Sequence, residues 1–160
     1  MSGTEPLPFV IDVTVKNIAD ARNVIYAFNT KVSLDDSIKE IKDLIIKLGG
    51  KGFQYTEHPR TGAQYIRFMY VDKNIGDVSM HIDIPQIYLK TDRTSRHLLE
   101  KVGIRLAILE LKVKLYKLCG KVDNPLSIFV ENILTRSGLP ISQYLSTGKN
   151  VAGLLPESTG

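Results

Sequence analysis

The sequence predicts an α+β fold: a single domain in which a mainly antiparallel sheet carries two principal amphipathic helices, at about 35–48 and 125–136. Three observations lead there. Several short segments alternate apolar and polar residues at period two, between clusters of Gly, Pro and Asn. Two other segments place apolar residues at helical spacing behind capping residues. The chain has 160 residues, 43% of them hydrophobic, and a fold of that size buries roughly two-thirds of the surface its unfolded chain exposes, so a core forms without staples. Disorder, collagen and a coiled-coil rod are excluded by the same composition.

Residues 1–8, with Gly3, Pro6 and Pro8, read as a flexible arm, residues 9–138 as the globular domain, and residues 139–160 as loop and tail. Phe9, Ile11, Val13 and Val15 share one side of a first strand, with Val10, Asp12 and Thr14 on the other. Residues 23–32 are rich in β-branched and aromatic residues and are expected to pair with it as a hairpin. Ser33 or Asp35 caps a helix whose first turn holds Asp35 and Asp36. Its stripe is Ile38, Ile41, Leu44, Ile45 and Leu48, and Gly49-Gly50 ends it. Residues 53–57 and 63–71 then form a second hairpin around His58–Gly62. From Gly76 to Ile84 the meander continues, with Val78, Met80, Ile82 and Ile84 on the buried face.

After a polar stretch with a short helical turn stopped by Gly103, residues 104–118 put Ala107, Leu109, Leu111, Val113 and Leu115 on one parity and Glu110, Lys112, Lys114 and Tyr116 on the other. That period predicts a long strand with a charged outer face. Asn124-Pro125 opens the last helix, with Leu126, Phe129, Val130, Ile133 and Leu134 as its stripe and Gly138 beyond its end.

Charge is unevenly spread. The chain carries a net +4, yet residues 86–121 alone hold nine basic groups against Asp92, Glu100 and Glu110, and the remainder is net negative by two. The basic groups are Lys90, Arg93, Arg96, Lys101, Arg105, Lys112, Lys114, Lys117 and Lys121. They form either a solvated face or an anion-contact surface, which at about 1 kcal/mol per residue near an anionic bilayer would attach the protein reversibly. Against nucleic-acid phosphates they would bind without sequence preference, and composition does not choose between lipid and RNA.

Catalytic and cofactor signatures are missing. Gly49-Gly-Lys-Gly52 lacks P-loop spacing and follows a helix instead of preceding one, which makes it a helix C-cap. His58, His81 and His97 are far apart, so no metal spacing exists, and the lone Cys119 reads as a small buried hydrophobe rather than a nucleophile with His81 or His97 as its base. No catalytic, cofactor or metal residue is expected, and the expected role is non-enzymatic. The N-terminal stretch lacks the pattern of a signal peptide and no segment is long and apolar enough to span a bilayer. A long strand leaves an edge that a second copy could use. The tail, carrying Tyr144, Leu145, Leu154 and Leu155, is the candidate for self-association.

The order of elements resembles the globular domain of rhabdovirus matrix proteins, most like the small matrix proteins of plant-infecting members. The likeness rests on Phe9-Val-Ile-Asp-Val-Thr-Val-Lys16, a helix ending in Leu48-Gly-Gly-Lys51, a β meander, and Gly103 to Tyr116, above all Ile108-Leu-Glu-Leu-Lys-Val113, before a last amphipathic helix. The resemblance implies a virion structural protein at the host cytoplasm and peripheral membrane. Its partners would be itself as a homo-oligomer, the viral nucleocapsid, an anionic membrane surface and, non-specifically, RNA phosphates. The arm of about eight residues has no lysine and no Pro-Pro-x-Tyr motif, which moves the expected membrane contact to residues 86–121. Two alternatives remain at this point: a small RNA-binding or movement-type viral accessory protein, and a ubiquitin-like adaptor suggested by the hairpin-then-helix start.

Overall fold

The computed structural model describes residues 5–91, 95–119, 128–135 and 138–142. It has the mixed α+β architecture, with two three-stranded sheets in which antiparallel pairing dominates. In chain order the elements are β1 (Val10–Val15), a 3-10 turn, a single helical turn α1 (Ala21–Val24), α2 (Leu34–Leu48), β2 (Gly50–Glu57), β3 (Gln64–Asp72), β4 (Gly76–Asp83), β5 (Gln86–Thr91), β6 (His97–Leu98) and α3 (Glu100–Cys119). A second 3-10 turn spans Val130–Asn132. One sheet has the order β2-β3-β4, the other β1-β5-β6.

α2 forms where its capping signals place it. The Ser33 hydroxyl accepts from the Asp36 N–H at 3.1 Å, Asp35 and Asp36 sit in the positive first turn, and Gly49 closes the helix at φ 96°. The β2–β3–β4 meander also follows the sequence pattern. In the turn between β2 and β3 the His58 ring nitrogen accepts from the N–H groups of Arg60 and Thr61.

The hairpin expected at the start does not form. β1 instead pairs in parallel with β5, in unbroken register from Val10 opposite Gln86 to Val15 opposite Thr91. Residues 23–32 contain the end of α1 and turns, with Ala27 at φ 57°. Packing overrides their β propensity: Ile25 is buried with Val15, Ala21, Ile87, Leu89 and Val102, and Phe28 packs against the same core, whereas a strand would put Ile25 and Phe28 on opposite faces.

The largest correction concerns residues 104–118, which lie in the helix α3 and not in a strand. Ile104, Ala107, Ile108 and Leu111 are buried against α2 and the β2-β3-β4 sheet, while Val102 joins the second core under β1 and β5. At about 100° per residue, Ile104, Ala107, Ile108, Leu111 and Leu115 make one stripe. Leu106, Leu109, Val113 and Tyr116 make another, roughly 160° away. The two stripes interleave along the sequence and imitate an alternation of period two.

The helix expected at 125–136 is corrected from Phe129 onward, while Ile128 is helical. Val130–Asn132 is a 3-10 turn, and Ile133 and Leu134 are extended, bridging Met80 and Pro140; residues 125–127 and 136 lie outside the described residues. The outer edge of β4 captures this segment, with the Leu134 N–H donating to the Ser79 carbonyl at 3.0 Å. Phe129 and Ile133 are still buried, as their spacing requires. Leu139 and Ile141 are buried too, so the domain runs on to the last residues described before 143.

Candidate binding surfaces

α3 decides where the charges go. On its wheel Lys101, Arg105 and Lys112 occupy one flank between the two apolar stripes, and Glu110, Lys114 and Lys117 the other. Lys112 and Lys114 therefore do not share a face. On the first flank Glu40 of α2 takes both Arg105 (2.6 Å) and Lys112 (3.0 Å), and its carboxyl is held below the usual carboxylate value, first by the Arg105 hydrogen bond and then by Lys112, against the opposing effect of burial. On the second flank Lys114 is not a solvent-facing cation. Its side chain, 12% exposed, donates to Glu131 (2.7 Å) and to the Asn132 amide oxygen (2.6 Å), pairs with Glu110 at 3.2 Å, and lies over the Phe129 ring. The Lys114 hydrogen bond lowers the pKa of Glu131.

The remaining predicted contacts are dispersed. Arg96 is paired with Asp12 at 2.6 Å and stacked on Tyr88. Lys90, Lys101 and Lys117 are exposed and make no ion pair among the described residues. Arg93 and Lys121 lie outside the described residues, as do Tyr144, Leu145, Leu154 and Leu155. Among the described residues, the structure thus brings Arg105 and Lys112 together at one acid and puts Lys114 and Lys117 on the opposite flank of α3.

Two features were missed by sequence reasoning. The first is a groove of about 470 Å³, walled by Phe9, which precedes β1, by Ile11 of β1, by Pro85, and by Leu106, Leu109 and Val113 from the second stripe of α3. Asp83, Glu110 and Glu131 contribute carboxylates to its lining, and Ser142 lies at its margin. Leu109 and Val113 are 38% and 48% exposed, and Tyr116, next along the stripe, is 78% exposed. The spacing i, i+3, i+7, i+10 was present in the sequence but hidden within the apparent alternation.

The second feature is a buried polar chain behind the groove. Arg67 donates from Nε to His81 Nδ1 at 3.1 Å and from its terminal nitrogen to the Gly138 carbonyl at 2.9 Å. An Nδ1 that accepts leaves the ring proton on Nε2, which donates to Asp83 at 2.7 Å. Tyr65 stacks on the imidazole and Asn132 donates to the His81 backbone carbonyl. With both ring nitrogens committed and the ring buried, His81 has no nitrogen left to act as a base for Cys119, whose side chain lies outside the description. No cluster of three or more potential metal ligands occurs among the described residues, and no helix there is long and apolar enough to cross a membrane.

No protein-family model matches this chain, no curated protein shows significant similarity to it, and no solved structure is significantly similar to its fold.

Proposed function

We propose that this chain acts by binding rather than by catalysis, as a matrix-type viral structural protein. It self-associates, condenses a ribonucleoprotein and links it to an anionic membrane, working in the host cytoplasm, at the membrane periphery and in the virion. The observation that carries this reading is the open edge of β1. β1 ends its sheet, so one side of its backbone has no strand partner among the described residues. Open edges are adhesive unless blunted by bulges, Pro or Lys. Of the other edges, β2 has such protection in the register shift between Lys51 and Gln54, β6 is only two residues long, and β4 is met by Ile133. β1 has neither bulge, Pro nor Lys, and Leu7 and Val10 stand exposed beside it.

Charge supports the membrane part of the reading and makes self-association necessary to it. Within residues 86–121, Lys90, Lys101 and Lys117 are the lysines with no acid partner among the described residues, and they supply roughly 3 kcal/mol at an anionic bilayer. That falls short of the ~8 kcal/mol of micromolar attachment, so several copies must act together. The hairpin that suggested a ubiquitin-like adaptor is absent, which removes the basis of that alternative.

Flotation with vesicles of phosphatidylcholine alone or with phosphatidylserine, run beside analytical ultracentrifugation, tests the proposal. The expected result is flotation only with phosphatidylserine, at protein concentrations where oligomers form, and loss of both on Val10→Lys. Salt-sensitive RNA binding with no flotation would replace the reading by that of an RNA-binding accessory protein. A monomer at all concentrations would end it.

A further inference from the structure

The second apolar stripe of α3 packs against the second core only at its start, through Leu106, and beyond it Leu109, Val113 and Tyr116 join neither core. From Leu106 to Tyr116 it runs about 15 Å along the helix, and its lower half forms one wall of the groove while Phe9 and Ile11 form the facing wall. A helix with apolar faces on both sides is expected where both faces are covered. Here one is covered by α2 and the sheets, and the other has Leu109, Val113 and Tyr116 open to solvent. The groove volume of about 470 Å³ lies within the range, about 300–1,000 Å³, in which proteins bury ligand groups.

The lining selects the occupant by charge. Asp83, Glu110 and Glu131 line the groove and no Lys or Arg does among the described residues; Lys114 behind it offsets one of the three charges. Carboxylates repel phosphate, so this face is not the one that meets lipid or RNA. An elongated apolar track with an acidic margin instead matches a short amphipathic helix with apolar anchors at i, i+3/i+4 and i+7 and Lys or Arg beside them. We propose that the groove between α3 and β1 is a docking site for such a basic amphipathic segment of a partner protein. The proposal does not depend on the matrix reading, because it uses the α3 face and not the β1 edge or the exposed lysines.

The probe is a fluorescein-labelled 14-residue peptide with Leu at i, i+3, i+4 and i+7 and Lys on the flanking positions, compared with the same peptide carrying Glu in place of Lys. Binding to the full chain is read by fluorescence anisotropy. The chain's own net charge of +4 works against the Lys peptide, so a preference for it reports the local carboxylates. The expected result is binding of the Lys peptide at least about tenfold tighter than the Glu peptide, reduced about tenfold by Leu109→Lys and by Val113→Lys. Both positions are substantially exposed, and unchanged circular dichroism will show that the variants fold. Equal or tighter binding of the Glu peptide overturns the proposal. So does Lys-peptide binding that both variants leave intact. Loss of concentration-dependent dimers on Leu109→Lys also overturns it, by assigning the face to a second copy of the chain.

Discussion

Gly103 gives the sharpest test of the α3 assignment, because two arguments predict opposite signs. It lies within the first turns of α3, where Ala is intrinsically favoured over Gly by about 1 kcal/mol. In the folded protein, however, a Cβ at residue 103 falls on the Pro85 carbonyl oxygen and 3.0 Å from its carbon. Both are backbone atoms of the β4–β5 connection, so relief requires moving either the helix or the connection. Overpacking costs about 1–3 kcal/mol where side chains can yield, and the upper end applies against backbone. Gly103→Ala is therefore expected to lose about 2 kcal/mol net, a fall in Tm of roughly 4–8 °C for a chain of this size. Differential scanning calorimetry reads it directly. An unchanged or raised Tm would refute the close approach of α3 to Pro85, and with it the placement of the helix between the two cores.

Lys114→Met should cost about 2–3 kcal/mol in urea unfolding, since it leaves Glu110 and Glu131 facing each other and the Asn132 amide oxygen without its donor; a loss below about 0.5 kcal/mol would place Lys114 in solvent. Glu40 and Glu131 both have carboxyls held below their ordinary value of 4.5, so the unfolded chain binds more protons there, and their contribution is present above pH 4.5 and lost as pH falls below it. The Glu40→Gln, Glu131→Gln double variant should show a shallower acid limb in pH-dependent denaturation, and an unchanged limb would contradict the pairings. Lys101→Glu with Lys117→Glu should abolish flotation with phosphatidylserine vesicles while leaving Tm within about 1 °C, because neither lysine has a partner among the described residues to lose. Retained flotation would move the membrane contact elsewhere.

The parts of this fold that were legible in the sequence are those governed by local signals. Ser33, the acidic first turn and Gly49 bound α2 without tertiary help, and the turn at His58–Gly62 sets the β2–β3 hairpin. The parallel pairing of β1 with β5 was not legible, because the partner lies some 75 residues away and nothing local encodes it. α3 was misread for a more instructive reason. A helix that buries one stripe shows a period near 3.6, but opposed stripes at Ile104–Leu115 and Leu106–Tyr116 cancel that signal and leave alternation. The error concealed the groove, since Leu109 and Val113 were assigned to a buried strand face, and it joined Lys112 to Lys114 on a face that does not exist. The strand expected at Ile108–Val113, on which the likeness to matrix proteins leaned most, is thus a helix.

The central claim is that one protein bridges ribonucleoprotein and membrane, and co-flotation of RNA tests it most directly. Labelled single-stranded RNA is mixed with phosphatidylserine-containing vesicles and centrifuged through a density gradient, with and without the protein. The account predicts that RNA rises with the vesicles only when the protein is present, and that Val10→Lys, by blocking association between copies, leaves the RNA at the bottom. RNA that stays at the bottom with the wild-type chain, while the protein floats or binds RNA separately, would contradict bridging.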